Sequence, residues 1–377
     1  MSIPYGRQSI SQDDVEAVVN ALNSDFLTIG PEVEKFEKAI SEISGSRSTV
    51  VVSSGTAALH CAYFAADIKP GDEVITTPLT FVATAAMASM FGATIKFADI
   101  QPDTGNIDPE SVKALVTSKT KVIAAVDYAG HPVDIDELKE IAKNAGALFL
   151  EDAAHSIGST YKGRPIGKDA DLTTFSFFPT KNLTTAEGGA ISSHDTILGQ
   201  RSRQFKMHGL VRDVERMRNS DVGAWHQEVH HFGLNYRLPD VLCALGSSQL
   251  ARIEDFKSAR SKIFEKYSEE LSDLDWITLP AKRDYVDPMW HLYPIRVPHA
   301  VRRQLFDYLR SNDVIVQVNY IPTYWHPVYE DLGYKKGLAP HSENYYLGEI
   351  SLPMYANLTE INQDFVIDTI RKFFKTS

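Results

Sequence analysis

The chain has 377 residues, 43% hydrophobic and 23% charged, with a formal net charge of -11 and two cysteines. Its length exceeds the size at which single cores stop growing, so one large and one smaller domain are expected. The acidic balance argues against a nucleic-acid or anionic-membrane binder, and Cys61 and Cys243 make neither a disulfide framework nor a zinc site, which fits a reducing cytoplasm.

The N-terminal MSIPYGRQSI lacks an apolar signal core. A run over 81–95 is the most apolar, but Thr, Ser and Gly interrupt it and it falls short of the ~20 residues a membrane span needs. A soluble, cytoplasmic protein is expected. Ser11-Gln12-Asp13-Asp14 matches a capping box, and Val15, Val18, Val19 and Leu22 follow at helical spacing. Pro31 opens a second helix that points Val33, Phe36, Ile40 and Ile43 inward. Short apolar runs at 49–52, 74–77, 95–98, 122–128, 147–151 and 172–177 read as strands, with helical patterns at 56–66 and 135–144 between them. This alternation predicts an α/β fold whose sheet is mostly parallel and covered on both faces. After residue 240 the pattern changes. One long helix over 240–271, a strand in WHLYPIRV, a helix over 301–312, a strand over 314–320 and a closing helix over 364–374 predict a smaller α/β domain. The expected division is 1–240 and 241–377.

Three stretches carry candidate chemistry. VVVSSGTAAL (50–59) runs from a strand through Ser53-Ser54-Gly55 into a helix at Thr56, and exposed amides at a helix start suit a phosphate. An ordinary strand-to-helix turn has the same pattern. ALFLEDAAHSIG (147–158) puts Glu151, Asp152 and His155 at the carboxyl end of a strand, the edge where open α/β sheets bind ligands. Acids there also serve as helix caps. TFSFFPTKNLTTAEGGAI (174–191) holds Lys181 between an aromatic run and a Gly-rich turn, as a reactive amine or as a plain loop lysine. Converging on one cleft, these strand ends would supply the phosphate cradle, carboxylate and Schiff-base lysine that pyridoxal phosphate chemistry needs. Phe81 is a candidate aromatic cover for the ring, or a core residue.

Six motifs occur in order from residue 53 to 238: Ser-Ser-Gly-Thr-Ala-Ala-Leu, Thr-Phe-Val-Ala-Thr, Glu-Asp-Ala-Ala-His, Phe-Ser-Phe-Phe-Pro-Thr-Lys, Glu-Gly-Gly-Ala and Gly-Leu-Asn-Tyr-Arg-Leu. Together they resemble the DegT/StrS-type sugar-nucleotide aminotransferases of the aspartate aminotransferase fold (type I). The resemblance implies a pyridoxal 5'-phosphate enzyme with Lys181 as its Schiff-base lysine and Asp152 as partner of the pyridinium nitrogen. It places His155 beside the phenolic oxygen, Phe81 against the ring, and Ser176, Gly55 and Thr56 at the phosphate. It implies that Asn235 reaches the phosphate of a neighbouring subunit, hence a homodimer with shared active sites. Relatives with histidine at the lysine position dehydrate or deoxygenate; this chain keeps Lys181, so amino transfer is favoured.

Val126-Asp127-Tyr128-Ala129-Gly130, Thr184-Thr185-Ala186-Glu187 and Gln317-Val318-Asn319-Tyr320 resemble the subgroup serving pseudaminic acid synthesis. That subgroup aminates C4 of a UDP-linked 2-acetamido-2,6-dideoxy-4-hexulose with L-glutamate as donor. Tyr5, Asp25, Phe26, Leu27, Thr28 and Gln317–Tyr320 match its substrate-contacting positions, to which Gly55, Ser176 and Asn235 also contribute. Residues 210–232 look longer than is usual there, which leaves a 3-keto or dTDP-linked sugar as an alternative. A different cofactor chemistry on the same fold and a catalytically silent binding protein are further alternatives, the latter disfavoured by Lys181 with Asp152. In the 210–232 segment His226 and His230 stand four apart, but Gln227 occupies the acid position of a zincin helix and no metal is expected. Arg212, Arg216 and Arg218 read as a solvated face or as a basic flap over a diphosphate.

Overall fold

The computed structural model describes residues 2–376. Its centre is a seven-stranded sheet: β1 (Ser48–Val52), β2 (Glu73–Thr76), β3 (Thr94–Phe97), β4 (Thr120–Val126), β5 (Leu148–Asp152), β6 (Leu172–Ser176) and β7 (Gly189–Ser193). The spatial order is β1-β7-β6-β5-β4-β2-β3, and β7 alone runs against the rest. The carboxyl ends of β1, β5 and β6 therefore share one edge. Alternation along the strands divides the interior. Val51, Ile75, Ile123, Phe149 and Phe175 face one apolar core, and Val50, Val74, Val122, Leu150 and Leu172 face a second.

The helices that matter for the site are α1 (Gln12–Leu22), α2 (Pro31–Ser44), α3 (Gly55–Ala65), α4 (Ala83–Met90), α5 (Ile135–Ala145), α6 (Asp240–Leu250), α7 (Ile253–Glu270), α8 (His299–Ser311) and α9 (Glu360–Thr376). The Ser11–Asp14 capping box forms in both directions. In α2, Phe36 and Ile40 are fully buried. The apolar stripe of α1 is not core: Val15, Val19 and Leu22 are about half exposed, whereas Asp14 is buried and paired with Arg252.

Two expectations are corrected. The helix over 240–271 is two helices, broken at Ala251–Arg252. The break redirects the chain: Ile253 and Phe256 join the first core, while Ile263, Phe264 and Tyr267 join a third. That third core also takes Ile3, Leu305, Leu309, Val366 and Ile370, around the pair of strands β8 (Tyr293–Arg296) and β9 (Glu349–Leu352). Residues 314–320 form no strand, only isolated bridges of Val314 to Ile3 and Gln317 to Ser351. His226 and His230 lie on no helix; a two-residue strand, Glu228–Val229, separates them and pairs with Leu210–Val211. No helix among the described residues is long and apolar enough to cross a membrane.

Candidate active site

At the shared carboxyl edge of β1, β5 and β6 lies a cavity of about 390 Å³. Its floor is the start of α3. Ser54 caps that helix, its Oγ accepting Ala57 N–H at 3.0 Å. A Cβ on Gly55 would stand 2.7 Å from Ser176 Cβ, and one on Gly189 would stand 2.5 Å from Ser54 O. Glycine at both positions lets the strand ends and the helix start close on one another.

The 177–188 loop presents Lys181 by hydrogen bonds to itself. Phe177 N–H donates to Gly188 O at 2.9 Å, Thr185 N–H to Phe177 O at 3.0 Å, and Lys181 N–H to Phe178 O at 2.8 Å. Thr184 Oγ1 adds a bond to Phe177 O at 3.1 Å and accepts Ala186 N–H. Next to Lys181, Asn182 Nδ2 donates to His155 O at 2.6 Å and to Met289 O at 3.1 Å, tying the loop to the segments after β5 and before Tyr293–Arg296. Burial pulls the Lys181 amine down to about 8, against the opposing pull of Asp152.

Asp152 ends β5 and is 4% exposed. Thr84 Oγ1 donates to its Oδ2 at 2.7 Å and Ala154 N–H to its Oδ1 at 3.2 Å. Burial raises its pKa, while these two donors and then Lys181 lower it. A cation brought beside it would return it to the charged form. His155 shares a 3.3 Å hydrogen bond between Nε2 and Tyr320 Oη, and its ring centroid is 4.3 Å from that of His291. Burial, then the Lys181 charge, holds His155 well below the usual imidazole range, so the ring is neutral. His155 Nδ1 and His291 Nδ1 are buried without hydrogen-bond partners. Phe81 is 57% exposed at the cavity mouth, with its ring edge-on to Tyr320 at 6.4 Å.

One cavity thus gathers Gly55, Thr56, Phe81, Asp152, His155, Ser176, Lys181, Tyr5, Asn319 and Tyr320. It leaves out the other sequence candidates. Asp25, Phe26, Leu27 and Thr28 are exposed and lie beyond α1, beside Asp240, whose N–H donates to Leu27 O. Gln317 and Val318 are outside the cavity, and Asn235 is exposed, its backbone bridged to Met207. Thr84 and His291 line the cavity without having been foreseen. Nothing in WHLYPIRV marked its histidine, and nothing around Thr84 marked its contact with Asp152.

The family model described as the DegT/DnrJ/EryC1/StrS aminotransferase family matches residues 8–371. Over 374 residues the chain is 37% identical to a UDP-4-amino-4,6-dideoxy-N-acetyl-beta-L-altrosamine transaminase of Campylobacter jejuni, covering 98% of this chain and 96% of that one. Among solved structures it is similar to Helicobacter pylori PseC, an aminotransferase involved in the biosynthesis of pseudoaminic acid, with a TM-score of 0.93, 31% identity and both chains covered in full. It is also similar to the PLP-form of the putative sugar aminotransferase Spr1654 from Streptococcus pneumoniae, with a TM-score of 0.92 and 28% identity over 100% of this chain and 99% of that one.

The cavity fits pyridoxal phosphate on its own chemistry. It offers a buried amine of lowered pKa, a buried carboxyl able to face a ring N–H, an unpartnered imidazole nitrogen and a helix start bared by glycine. The chain belongs to the DegT/DnrJ/EryC1/StrS aminotransferase family and is an aminotransferase whose cofactor is pyridoxal phosphate.

Proposed function

We propose that the enzyme transfers the amino group of L-glutamate to C4 of a UDP-linked 2-acetamido-2,6-dideoxy-4-hexulose. The observation that carries amino transfer is the joint placement of Lys181 and Asp152 in one cavity, which Tyr5, Asn319 and Tyr320 also line. The sugar assignment is supported by likeness over nearly the whole chain to the Campylobacter transaminase and to PseC.

Bound pyridoxal phosphate supplies an electron-withdrawing ring that stabilises negative charge at the reacting carbon. The protein does the rest. Asp152 holds the proton on the ring nitrogen, and Thr84 holds Asp152. Gly55, Thr56 and Ser176 receive the phosphate, Phe81 covers the ring face, and neutral His155 stands at the phenolic oxygen. The Lys181 amine, made less basic by burial, takes a proton from the substrate carbon and delivers it to the neighbouring cofactor carbon. Glutamate is processed first and the keto-sugar second, in a ping-pong cycle. Each site is completed by Asn235 of a second copy of the chain.

The test is a panel of keto-sugar nucleotides offered with glutamate, the position of the new amine being read by NMR. Amination of the UDP-linked 4-keto-6-deoxy sugar of L-arabino configuration is expected. Preference for a 3-keto or dTDP-linked sugar overturns the assignment.

A further inference from the structure

Behind the Tyr5–Asn319–Tyr320 wall stands a carboxyl group that the reaction does not use. Glu349, the first residue of β9, is 0% exposed. Its Oε2 accepts Asn319 N–H at 2.7 Å and its Oε1 accepts Ser351 Oγ–H. Ser351 Oγ in turn accepts from Asn319 Nδ2 at 3.1 Å, and the same amide donates to Tyr5 Oη at 2.8 Å. On the other side, Tyr128 Oη–H donates to Asn319 O at 2.6 Å. Asn319 is therefore bound through its main-chain N–H, its main-chain carbonyl and its side-chain amide. The backbone bridge of Gln317 to Ser351 joins the same two segments two residues earlier.

At Asn319 this arrangement takes the place of strand pairing. Asn319 N–H, which a strand would give to a neighbouring main-chain carbonyl, goes to a side-chain carboxyl instead. The carboxyl thereby turns Asn319 and Tyr320 toward the cavity. Burying an acid for this purpose is costly, and burial pushes Glu349 up to about 8, with Ser351, Asn319 N–H and Arg302 opposing. An apolar residue would pack there more cheaply but would leave Asn319 N–H without an acceptor. Lys181 and Asp152 are held by other means, the 177–188 loop and Thr84.

We propose that Glu349 is a positioning residue for the acceptor side of the site. Through Asn319 and Ser351 it fixes the wall of Tyr5, Asn319 and Tyr320 that receives the sugar nucleotide, and leaves the reaction with glutamate largely alone. This rests on the two-substrate reading above, and it adds a residue that touches neither substrate.

The experiment uses the cofactor-loaded enzyme and the variants Glu349→Leu, Glu349→Gln and Ser351→Ala. Three quantities are read: amide hydrogen exchange across 315–322, the rate at which glutamate bleaches the yellow enzyme, and the acceptor KM. Glu349→Leu should speed exchange at Asn319 and raise the acceptor KM about 10-fold or more, as expected for losing hydrogen bonds to a charged or buried acceptor. Bleaching by glutamate should change clearly less than the acceptor KM, the wall meeting the cofactor side through the 3.3 Å bond of Tyr320 to His155. Glu349→Gln, which keeps an acceptor for Asn319 N–H, should recover most of the lost affinity. Ser351→Ala should show the same pattern more weakly, and it decides the matter should Glu349→Leu not fold. Unchanged exchange overturns the clamp. Faster exchange with an unchanged acceptor KM overturns its role in the site, and equal loss in both half-reactions reduces it to general scaffolding. Should wild-type enzyme fail with glutamate or with every keto-sugar, the proposed function falls and the exchange data alone judge the clamp.

Discussion

Thr84 Oγ1 donates to Asp152 Oδ2 at 2.7 Å, so the first turn of α4 grips the carboxyl group at the end of β5. Burial raises the pKa of that carboxyl, and Thr84 is foremost among the groups that lower it. Asp152→Asn keeps the shape and removes the charge, and should slow the glutamate half-reaction by ~10²–10³. Thr84→Val removes one hydrogen bond to a charged acceptor, worth ~1.5–3 kcal/mol, and should slow it by at least ~10-fold. Because Thr84 acts through Asp152, the double variant should be no slower than Asp152→Asn alone. Additive losses in single-turnover assays would show that Thr84 works by another route.

Lys181 gives a pH prediction with a definite sign. Its amine is brought down to about 8 by burial, and only the neutral amine attacks the cofactor's aldehyde. Attachment of pyridoxal phosphate to cofactor-free protein should therefore accelerate as pH rises, with a midpoint near 8, and level off above it. Stopped-flow absorbance measures this. A midpoint in the ordinary lysine range, ~10.4, would mean that the amine is solvated rather than enclosed. Lys181→Ala should lose the yellow colour and slow turnover by at least ~10², since base catalysis of this type contributes ~10²–10⁴.

What could be read in the sequence, and what could not, follows from physical scale. Val50–Val52, Val122–Val126 and Phe149–Leu150 announce strands because they are buried on both faces and so form unbroken apolar runs. β7 is equally buried but is Gly-Ala-Ile-Ser-Ser, mostly small residues with Gly189 against Ser54, and leaves little apolar signature. The break between α6 and α7 has no Gly or Pro; Arg252 turns there to pair with Asp14, a partner far off in sequence. Lys181, Asp152, His155 and Ser176 were legible because each sits at or just beyond a strand end. Thr84 and Glu349 were not, since their importance lies in contacts across the fold. Asp25–Thr28 and Asn235 lie outside this chain's own cavity, where no strand end carries them.

A second buried acidic site should govern stability against pH. Asp127 and Glu151 are both fully buried. Burial raises both, Glu151 further through the charge of Asp127, and Asp127 lies at about 7. In the unfolded chain both ionise near their ordinary values of ~4. The unfolded state thus binds fewer protons between pH ~4 and ~7, and stability should fall as pH rises through that window. Asp127→Asn keeps an acceptor for Val133 N–H, which donates to Asp127 Oδ1 at 2.9 Å. The variant should flatten the decline in melting temperature between pH 5 and 7 by about 3 °C or more, at ~2–4 °C per kcal/mol. Parallel curves for the two proteins would assign the pH dependence to other groups.

The last prediction concerns Asn235. It is exposed, it lies outside the cavity that holds Lys181, and its backbone is pinned to Met207. Under the proposed shared site, Asn235 reaches the cofactor phosphate of another copy of the chain. Asn235→Ala should then weaken cofactor retention, because a charge-assisted hydrogen bond of ~1.5–3 kcal/mol is lost. Lys181→Ala and Asn235→Ala chains would each be impaired as homodimers. Unfolded and refolded together, they should form heterodimers in which one site carries both defects and the other carries neither. Activity at low cofactor concentration should therefore recover in part, in proportion to the heterodimer present. Heterodimers without recovery would mean that Asn235 serves no neighbouring site, and the shared-site reading would have to be given up.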